Sequence, residues 1–182
     1  MATYIGLLRG VNVGGHNLVS MGDLRSLLTR LGFEEPRTLL QSGNVVFRGK
    51  SAATAALENL LETESRKRLG LETSFFIRTP GEWSVLIAGN PFPREAKDDP
   101  ARLVALPLKN APPSAAVKAL VDAIPGSESV RVKAGIAYIY YPDGQGKSKL
   151  TNALIEAKLG TRGTARNWNT VLKLAALAAP QG

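Results

Sequence analysis

The same order of predicted elements occurs twice along the chain, and this constrains the fold more than any other feature of the sequence. In residues 1–89 the hydrophobic pattern predicts strand, helix, two strands, helix and strand, and residues 102–182 repeat that order. The first hairpin is predicted to turn at Ser42-Gly43 and the second at Ala134-Gly135. The first strand of the first hairpin is predicted at 37–41, the second helix of the second repeat at 148–159, and its last strand at 161–166. The repeated βαββαβ order predicts an α+β protein with two tandem ferredoxin-like subdomains.

Two further helices and a linker complete the predicted organisation. A capping box at Thr79–Glu82 predicts a short linker helix, and a C-terminal helix is predicted to begin at Asn167. We expect a first domain at 1–89 that includes the linker helix, a proline-rich linker at 90–101, and a second domain at 102–182 that ends in the C-terminal helix.

The composition excludes several classes of site. The chain has no cysteine and a single histidine, His16, which excludes a disulfide scaffold, a thiolate metal site, an iron–sulfur cluster and the familiar multi-histidine metal centres. No apolar run approaches the roughly 18–20 residues that span a bilayer, and the N-terminus lacks a signal-peptide pattern. We therefore expect a cytoplasmic monomer with no membrane partner, no metal and no cofactor.

Positive charge is concentrated in the last third of the chain. The whole chain has a net charge of +8, and residues 129–182 carry eight Lys and Arg against two Asp and Glu, a net charge of +6. Such a surface attracts phosphate-bearing partners, either a nucleic acid or a phosphorylated small molecule, whereas the alternative is a solvated basic face with no partner. The residues expected to form this basic patch are Arg131, Lys133, Lys147, Lys149, Arg162 and Arg166.

Two loops rich in glycine and asparagine are the candidate ligand-binding elements. The segment Arg9–Gly15 follows the first strand, and several glycines there let backbone N–H groups converge on an anion. It is not a dinucleotide fingerprint, because Asn12 stands where the second glycine is required. The alternative is that the glycines only supply positive φ angles. The expected ligand or anion contacts are Arg9, Asn12, Gly14, Gly15, Ser42, Gly43 and Asn44.

No complete catalytic set is visible, so we expect a binding protein rather than an enzyme. A serine nucleophile at Ser42 would need His16 as its base and an acid to orient it. The segment Gly144–Ser148 resembles a phosphate-binding P-loop, but the pattern requires glycine at position 141, where this chain has Tyr141. The strand 135–141 fits an RNA-recognition motif only loosely. Tyr138 and Tyr140 on one face indicate either a stacking platform or, as we favour, packing of the two sheets together.

Three motifs in register resemble the bacterial domain-of-unknown-function family 1697. They are Arg9–Gly15, Leu40–Phe47 and Arg166–Thr170, and the resemblance covers nearly the whole chain. It implies a cytosolic bacterial protein with two ferredoxin-like subdomains and no established activity, cofactor or catalytic residue. Leu18 and Ala165 depart from the residues expected at these positions, which weakens the case for an anion site.

Three functions therefore remain open. The leading hypothesis is a protein that binds a phosphate-rich partner through the basic patch, with the two loops forming a nearby polar cleft. The alternatives are a small-molecule enzyme that acts on an anionic metabolite, with Arg9 as anion clamp, and a structural or protein-interaction domain.

Overall fold

The computed structural model describes residues 1–180, which form a mixed α+β protein with two four-stranded antiparallel sheets and, within those residues, seven α-helices. The chain divides into two compact units. Of the described residues, the first comprises Met1–Val85 and 173–180, and the second comprises Leu86–Leu172. This division differs from the expected one: the predicted linker lies within the second unit, and residues 173–180 belong to the first.

The first unit contains one sheet with antiparallel strand pairs in the order β2-β3-β1-β4. Its helices α1 and α2 are the connections from β1 to β2 and from β3 to β4, as the hydrophobic pattern predicts. The elements are β1 (Ala2–Leu8), α1 (Met21–Arg30), β2 (Glu34–Leu39), β3 (Asn44–Gly49), α2 (Thr54–Leu69), β4 (Phe75–Arg78) and the beginning of α3 (Pro80–Ala88).

Local chemistry explains where these helices begin and end. The Ser20 hydroxyl accepts a hydrogen bond from the Asp23 backbone N–H at 2.9 Å, which caps the first turn of α1. Gly70 ends α2 in the left-handed conformation that glycine adopts without strain. The leucines of α1 and α2 pack with alternate residues of the strands into one core, whose fully buried members include Leu24, Leu28, Val45, Phe47, Leu61, Phe75 and Ile77.

The second unit repeats the order of elements of the first. Its sheet has the strand order β6-β7-β5-β8, again with antiparallel pairs. The elements are α4 (Pro93–Asp98), β5 (Leu103–Pro107), α5 (Ser114–Asp122), β6 (Ser129–Lys133), β7 (Ile136–Tyr140), α6 (Asn152–Leu159), β8 (Arg166–Asn167) and α7 (Trp168–Ala178), which continues into the first unit. The helices α5 and α6 cover one sheet face, with a core that includes Leu106, Leu120, Ile139, Leu150 and Ile155.

Three details of the second unit differ from the prediction. The predicted linker contains the helix α4, which begins with Pro93 at a position where proline's missing N–H has no cost. The helix α6 begins at Asn152 rather than Ser148, because the Thr151 hydroxyl accepts from the Leu154 N–H and caps the helix there. The last strand is only two residues long and lies at Arg166–Asn167, at the end of the predicted segment 161–166.

Within residues 1–180, no helix combines the length and the apolar character needed to cross a membrane.

Candidate functional site

Asn12 joins the two loops that the sequence singled out. Its side-chain amide donates to the backbone oxygens of Val19, at 2.9 Å, and Gln41, at 2.7 Å. Its side-chain oxygen accepts from the Val19 N–H at 2.9 Å. Asn12 has a φ of +55°, a left-handed conformation that asparagine tolerates better than most residues. The amide therefore closes the first loop on itself and fastens it to the hairpin loop between β2 and β3.

Gly43 permits the closest approach between the same loops. It has a φ of +76°, and a Cβ atom built there would lie 2.6 Å from Val11 Cγ2 and 2.8 Å from Leu8 Cβ. Its carbonyl oxygen accepts from the Leu8 N–H at 2.8 Å. A side chain at this position would have to displace the end of β1, so the packing requires glycine.

Asn44 completes the junction from inside the sheet. It is fully buried, pairs with Leu7 and Leu39 in the sheet register, and its amide donates to the Leu39 oxygen at 2.9 Å and to Ser42 Oγ at 3.0 Å. The hairpin loop is longer than the predicted two-residue turn, because Leu40, with a φ of +60°, already leaves the strand. The side-chain amides of both asparagines therefore form hydrogen bonds that hold the loops in place.

The exposed tip of the first loop is a tight turn. The His16 N–H donates to the Val13 oxygen at 3.1 Å across Gly14 and Gly15, whose φ angles are +61° and +75°. All four residues are exposed. The His16 side chain forms no hydrogen bond within the described residues, so these residues do not assemble the serine–histidine arrangement considered from the sequence.

Arg9 is anchored through its backbone. Its N–H donates to the Ser74 oxygen at 3.0 Å, and its carbonyl oxygen accepts from Thr73 Oγ1 at 2.7 Å. These bonds fix the end of β1 against the start of β4. The structure therefore brings Asn12 together with Ser42, Gly43 and Asn44 and places Gly14 and Gly15 at the tip, while anion binding by this group stays a prediction.

Four of the expected patch residues are exposed in the second unit, and we call them the basic strip: Arg131, Lys133, Lys147 and Lys149. Arg131 and Lys133 are two residues apart on β6, an edge strand, so both side chains lie on the same face. Lys147 and Lys149 line a cavity of about 220 Å³ together with Glu128 and Asp143. Arg162 is exposed as well, in the segment before β8.

Arg166 does not belong to the exposed patch, which corrects its placement there. It is 8% exposed, and its Nη1 donates to Thr164 Oγ1 and to the Ala165 oxygen, both at 2.8 Å. Burial lowers the pKa of its guanidinium to about 10. Arg166 begins the two-residue strand β8, opposite Ala105 of β5, so its side chain is enclosed rather than presented to solvent.

The two tyrosines of β7 do not form a stacking platform. Tyr138 is 1% exposed, and its hydroxyl donates to the Leu86 oxygen at 2.6 Å. Burial raises the pKa of Tyr138 to about 12. The Tyr140 hydroxyl donates to Asp99 Oδ2 at 3.0 Å. Both side chains therefore pack beneath the segment that precedes β5, within the second unit.

The Gly144–Ser148 segment forms no P-loop. Its central residues, Gln145–Lys147, make a single 3₁₀ turn, and the Ser148 hydroxyl accepts from the Leu150 N–H at 2.9 Å. Tyr141, which replaces the first glycine of the pattern, is buried and donates to the Leu150 oxygen at 3.1 Å. These contacts fix the segment as the approach to α6.

Sequence reasoning missed a second charged cavity, in the first unit. Arg37 and Arg48 line a cavity of about 440 Å³ on the sheet face opposite α1 and α2, near Ala178. The only local signal was Pro36, since proline inside a strand pattern favours an edge or a bulge. The predicted strand began at Arg37 and therefore excluded the irregular residues.

Comparison with known proteins supports the fold and the family. The chain resembles, with a TM-score of 0.74 and 25% identity, the structure of the conserved bacterial protein SP0830 from Streptococcus pneumoniae, and the match covers 98% of this chain and 99% of that one. A comparison with curated proteins gives no significant match. The family described as "Protein of unknown function (DUF1697)" matches residues 1–138. This match includes both interlocked loops and extends beyond the first unit into β7, and the chain therefore belongs to the DUF1697 family.

Proposed function

We propose that this protein binds polyanions, in particular the phosphate backbone of nucleic acids, through the basic strip of its second unit. The observation that carries the proposal is that these four exposed cations form no ion pairs in the described part of the chain. None of Arg131, Lys133, Lys147 and Lys149 forms an ion pair within residues 1–180. A group of exposed, uncompensated cations attracts phosphate and releases counterions when it binds.

Some other exposed cations of the chain do have carboxylate partners. Arg94 Nε lies 3.7 Å from Asp98 Oδ2, and Lys118 Nζ lies 2.5 Å from Asp122 Oδ2, in both cases one helical turn along the chain. The four residues of the basic strip have no such partner within residues 1–180.

The two lysines of the strip are connected to its β6 residues through Glu128. Ser148, which separates Lys147 from Lys149, donates its hydroxyl to the Glu128 carboxylate. Glu128 precedes Arg131 by three residues, which is roughly 10 Å of extended chain. The contacts of Glu128 and Asp143 in this cavity are with the hydroxyls of Ser148 and Ser127 and not with the lysines, so the positive charges stay available.

We also propose that each unit is ferredoxin-like. The strand orders β2-β3-β1-β4 and β6-β7-β5-β8, together with the βαββαβ connections, support this assignment. In both sheets one face is covered by the two connecting helices; Arg131 and Lys133 lie on the edge strand β6, on the face opposite α5 and α6.

The test is a binding titration with fluorescently labelled 20-base-pair DNA and 20-nucleotide RNA of mixed sequence. In the strip variant, Arg131, Lys133, Lys147 and Lys149 are all replaced by Gln. In the matched control, four exposed cations that have carboxylate partners are replaced by Gln: Arg66, Arg68, Arg94 and Lys118. Both variants lose the same net charge.

We expect saturable binding by the wild type at about 50 mM salt, a loss of at least tenfold in the strip variant, and a much smaller loss in the control. Equal losses in the two variants would show that net charge alone governs binding. No binding by the wild type at this salt concentration would mean that the strip is a solvated basic face, and either result rejects the proposal.

A further inference from the structure

The cavity beside Arg37 carries a second inference, independent of the basic strip. It has a volume of about 440 Å³ and is lined by Thr3, Glu35, Arg37, Arg48 and the segment 178–180 with Met1. This size lies within the range of small-molecule sites, roughly 300–1,000 Å³. All of its walls belong to the first unit.

A β-bulge in β2 turns Arg37 toward this cavity. Glu34 lies opposite Arg48 and Arg37 lies opposite Val46, so three steps along β2 match two steps along β3. Glu35, at a φ of +49°, is within the irregular segment. Without the extra residue Arg37 would pair with Val45, which packs in the core beneath α1 and α2. The bulge therefore brings Arg37 to the face that carries Arg48.

Arg37 is a cation with an unmet hydrogen-bonding requirement. Its Nε is buried and has no hydrogen-bond partner within the described residues. Buried polar groups nearly always have a partner, because an unpaired buried N–H is unfavourable, so this atom calls for an acceptor that the chain itself does not provide.

The charges around the cavity select the kind of acceptor. Arg48 Nη1 donates to Glu35 Oε1 at 2.8 Å, so these two side chains neutralise one another. Among the described side chains that line the cavity, Arg37 then carries the one positive charge without an ion pair. A guanidinium binds the two oxygens of a carboxylate through parallel N–H groups, and one negative charge matches this site better than two.

We propose that this cavity binds the carboxylate of a small monoanionic molecule through Arg37, while Ala178 and Pro180 contact its apolar part. Thr3 contributes a hydroxyl to the same wall. The proposed ligand differs from a polyanion in charge and in size, and its site lies in the other unit.

The test follows the Arg37 side chain directly. In nitrogen–proton correlation NMR spectra of the full chain, the Arg37 Nε–H signal is assigned by its loss in Arg37→Lys, and benzoate is then titrated as the probe. Benzamide serves as the neutral analogue, inorganic phosphate as the non-planar anion, and Arg30→Gln as the control for loss of one exposed arginine.

We expect benzoate to shift the Arg37 Nε–H signal saturably, with a Kd on the order of 1 mM or tighter, and benzamide to leave it unchanged. Arg37→Lys keeps the charge but removes the paired N–H donors of the guanidinium, and Arg37→Gln removes both. Each variant should weaken benzoate binding at least tenfold, whereas Arg30→Gln should bind benzoate as the wild type does. Circular dichroism of each variant confirms that it is folded.

Three outcomes would overturn the inference: no saturable shift with benzoate, equal binding of benzamide or phosphate, or unchanged benzoate binding in a folded Arg37→Lys. Because the basic-strip variant keeps this cavity intact, it should bind benzoate normally. Failure here and failure of polyanion binding are therefore separate results.

Discussion

Replacing Gly43 by alanine tests whether the two loops are locked together as the packing indicates. The new Cβ would lie 2.6 Å from Val11 Cγ2 and 2.8 Å from Leu8 Cβ, and the second of these atoms is fixed to the backbone of β1. A non-glycine residue in the left-handed conformation costs roughly 1–2 kcal/mol, and overpacking a well-filled site costs about 1–3 kcal/mol more. We therefore expect Gly43→Ala to lower the free energy of unfolding by about 2–5 kcal/mol.

Gly32→Ala is the matched control for this prediction. Gly32 has a φ of +83°, but a Cβ there would meet no atom within 4 Å. Only the conformational cost of about 1–2 kcal/mol applies. Urea unfolding followed by circular dichroism gives the midpoint for each variant, and with an unchanged m value the shift of the midpoint reports the change in stability.

A second measurement places the effect at the junction. The Leu8 N–H donates to the Gly43 oxygen at 2.8 Å, so its hydrogen exchange should accelerate in Gly43→Ala and stay slow in Gly32→Ala. Equal destabilisation by the two substitutions, or an unchanged Leu8 exchange rate in Gly43→Ala, would refute the steric argument.

Three further predictions concern hydrogen bonds between distant segments. Asn12→Ala removes three hydrogen bonds and should lower the free energy of unfolding in urea by about 2–3 kcal/mol; Asn12→Asp keeps the acceptor for the Val19 N–H but places a carboxylate oxygen against the Val19 and Gln41 oxygens, so it should cost at least as much, and a milder effect of Asn12→Asp would contradict the assigned donors. Glu58 accepts from the Ile77 N–H at 2.8 Å, so Glu58→Ala should cost about 1–3 kcal/mol and Glu58→Gln clearly less; equal effects would contradict a role as acceptor. The raised pKa of Tyr138, about 12 against 10, means that its share of stability is complete below pH 10 and is lost as the pH rises to 12. This loss, about 2–3 kcal/mol in urea titrations across that pH range, should be absent in Tyr138→Phe; an identical pH profile in the variant would contradict it.

The sequence predicts the elements well because their signals are local. The capping serine at Ser20, the stop at Gly70 and the cap at Asn167, whose side-chain oxygen accepts from the Thr170 N–H at 3.0 Å, each depend on neighbours within a few residues. Apolar spacing then determines which helix faces meet the sheets. These features suffice for the α+β class and the repeated order of elements.

The contacts that the polar and glycine residues of the motifs make are with partners distant in sequence. The Asn12 amide donates to the Gln41 oxygen, which is 29 residues away in the sequence. The sequence alone does not show this partner, so it suggests that Asn12 contacts a ligand. Position 43 requires glycine because Val11 and Leu8 leave no room for a Cβ atom, and this reason is not visible in the turn itself. Glycine and asparagine in a loop look the same whether they contact a ligand or another loop.

Two arginines show that the sequence also does not predict whether a charged side chain is exposed or buried. Arg166 adds to the basic count of the sequence, but the short strand β8 buries it. Arg37 looks like an ordinary edge-strand cation, and only the bulge changes the face on which it lies. A count of charges along the chain cannot separate an exposed cation from an enclosed one, because burial is decided by the tertiary packing.

The salt dependence of DNA binding tests the central proposal most directly. If the four cations of the basic strip neutralise four phosphates, the logarithm of the association constant should fall with the logarithm of the salt concentration with a slope of about −3.6. Replacing all four by Gln should bring that slope close to zero, while the ion-paired control keeps the wild-type slope. A wild-type slope near zero, or a strip variant that keeps the full slope, would contradict the account.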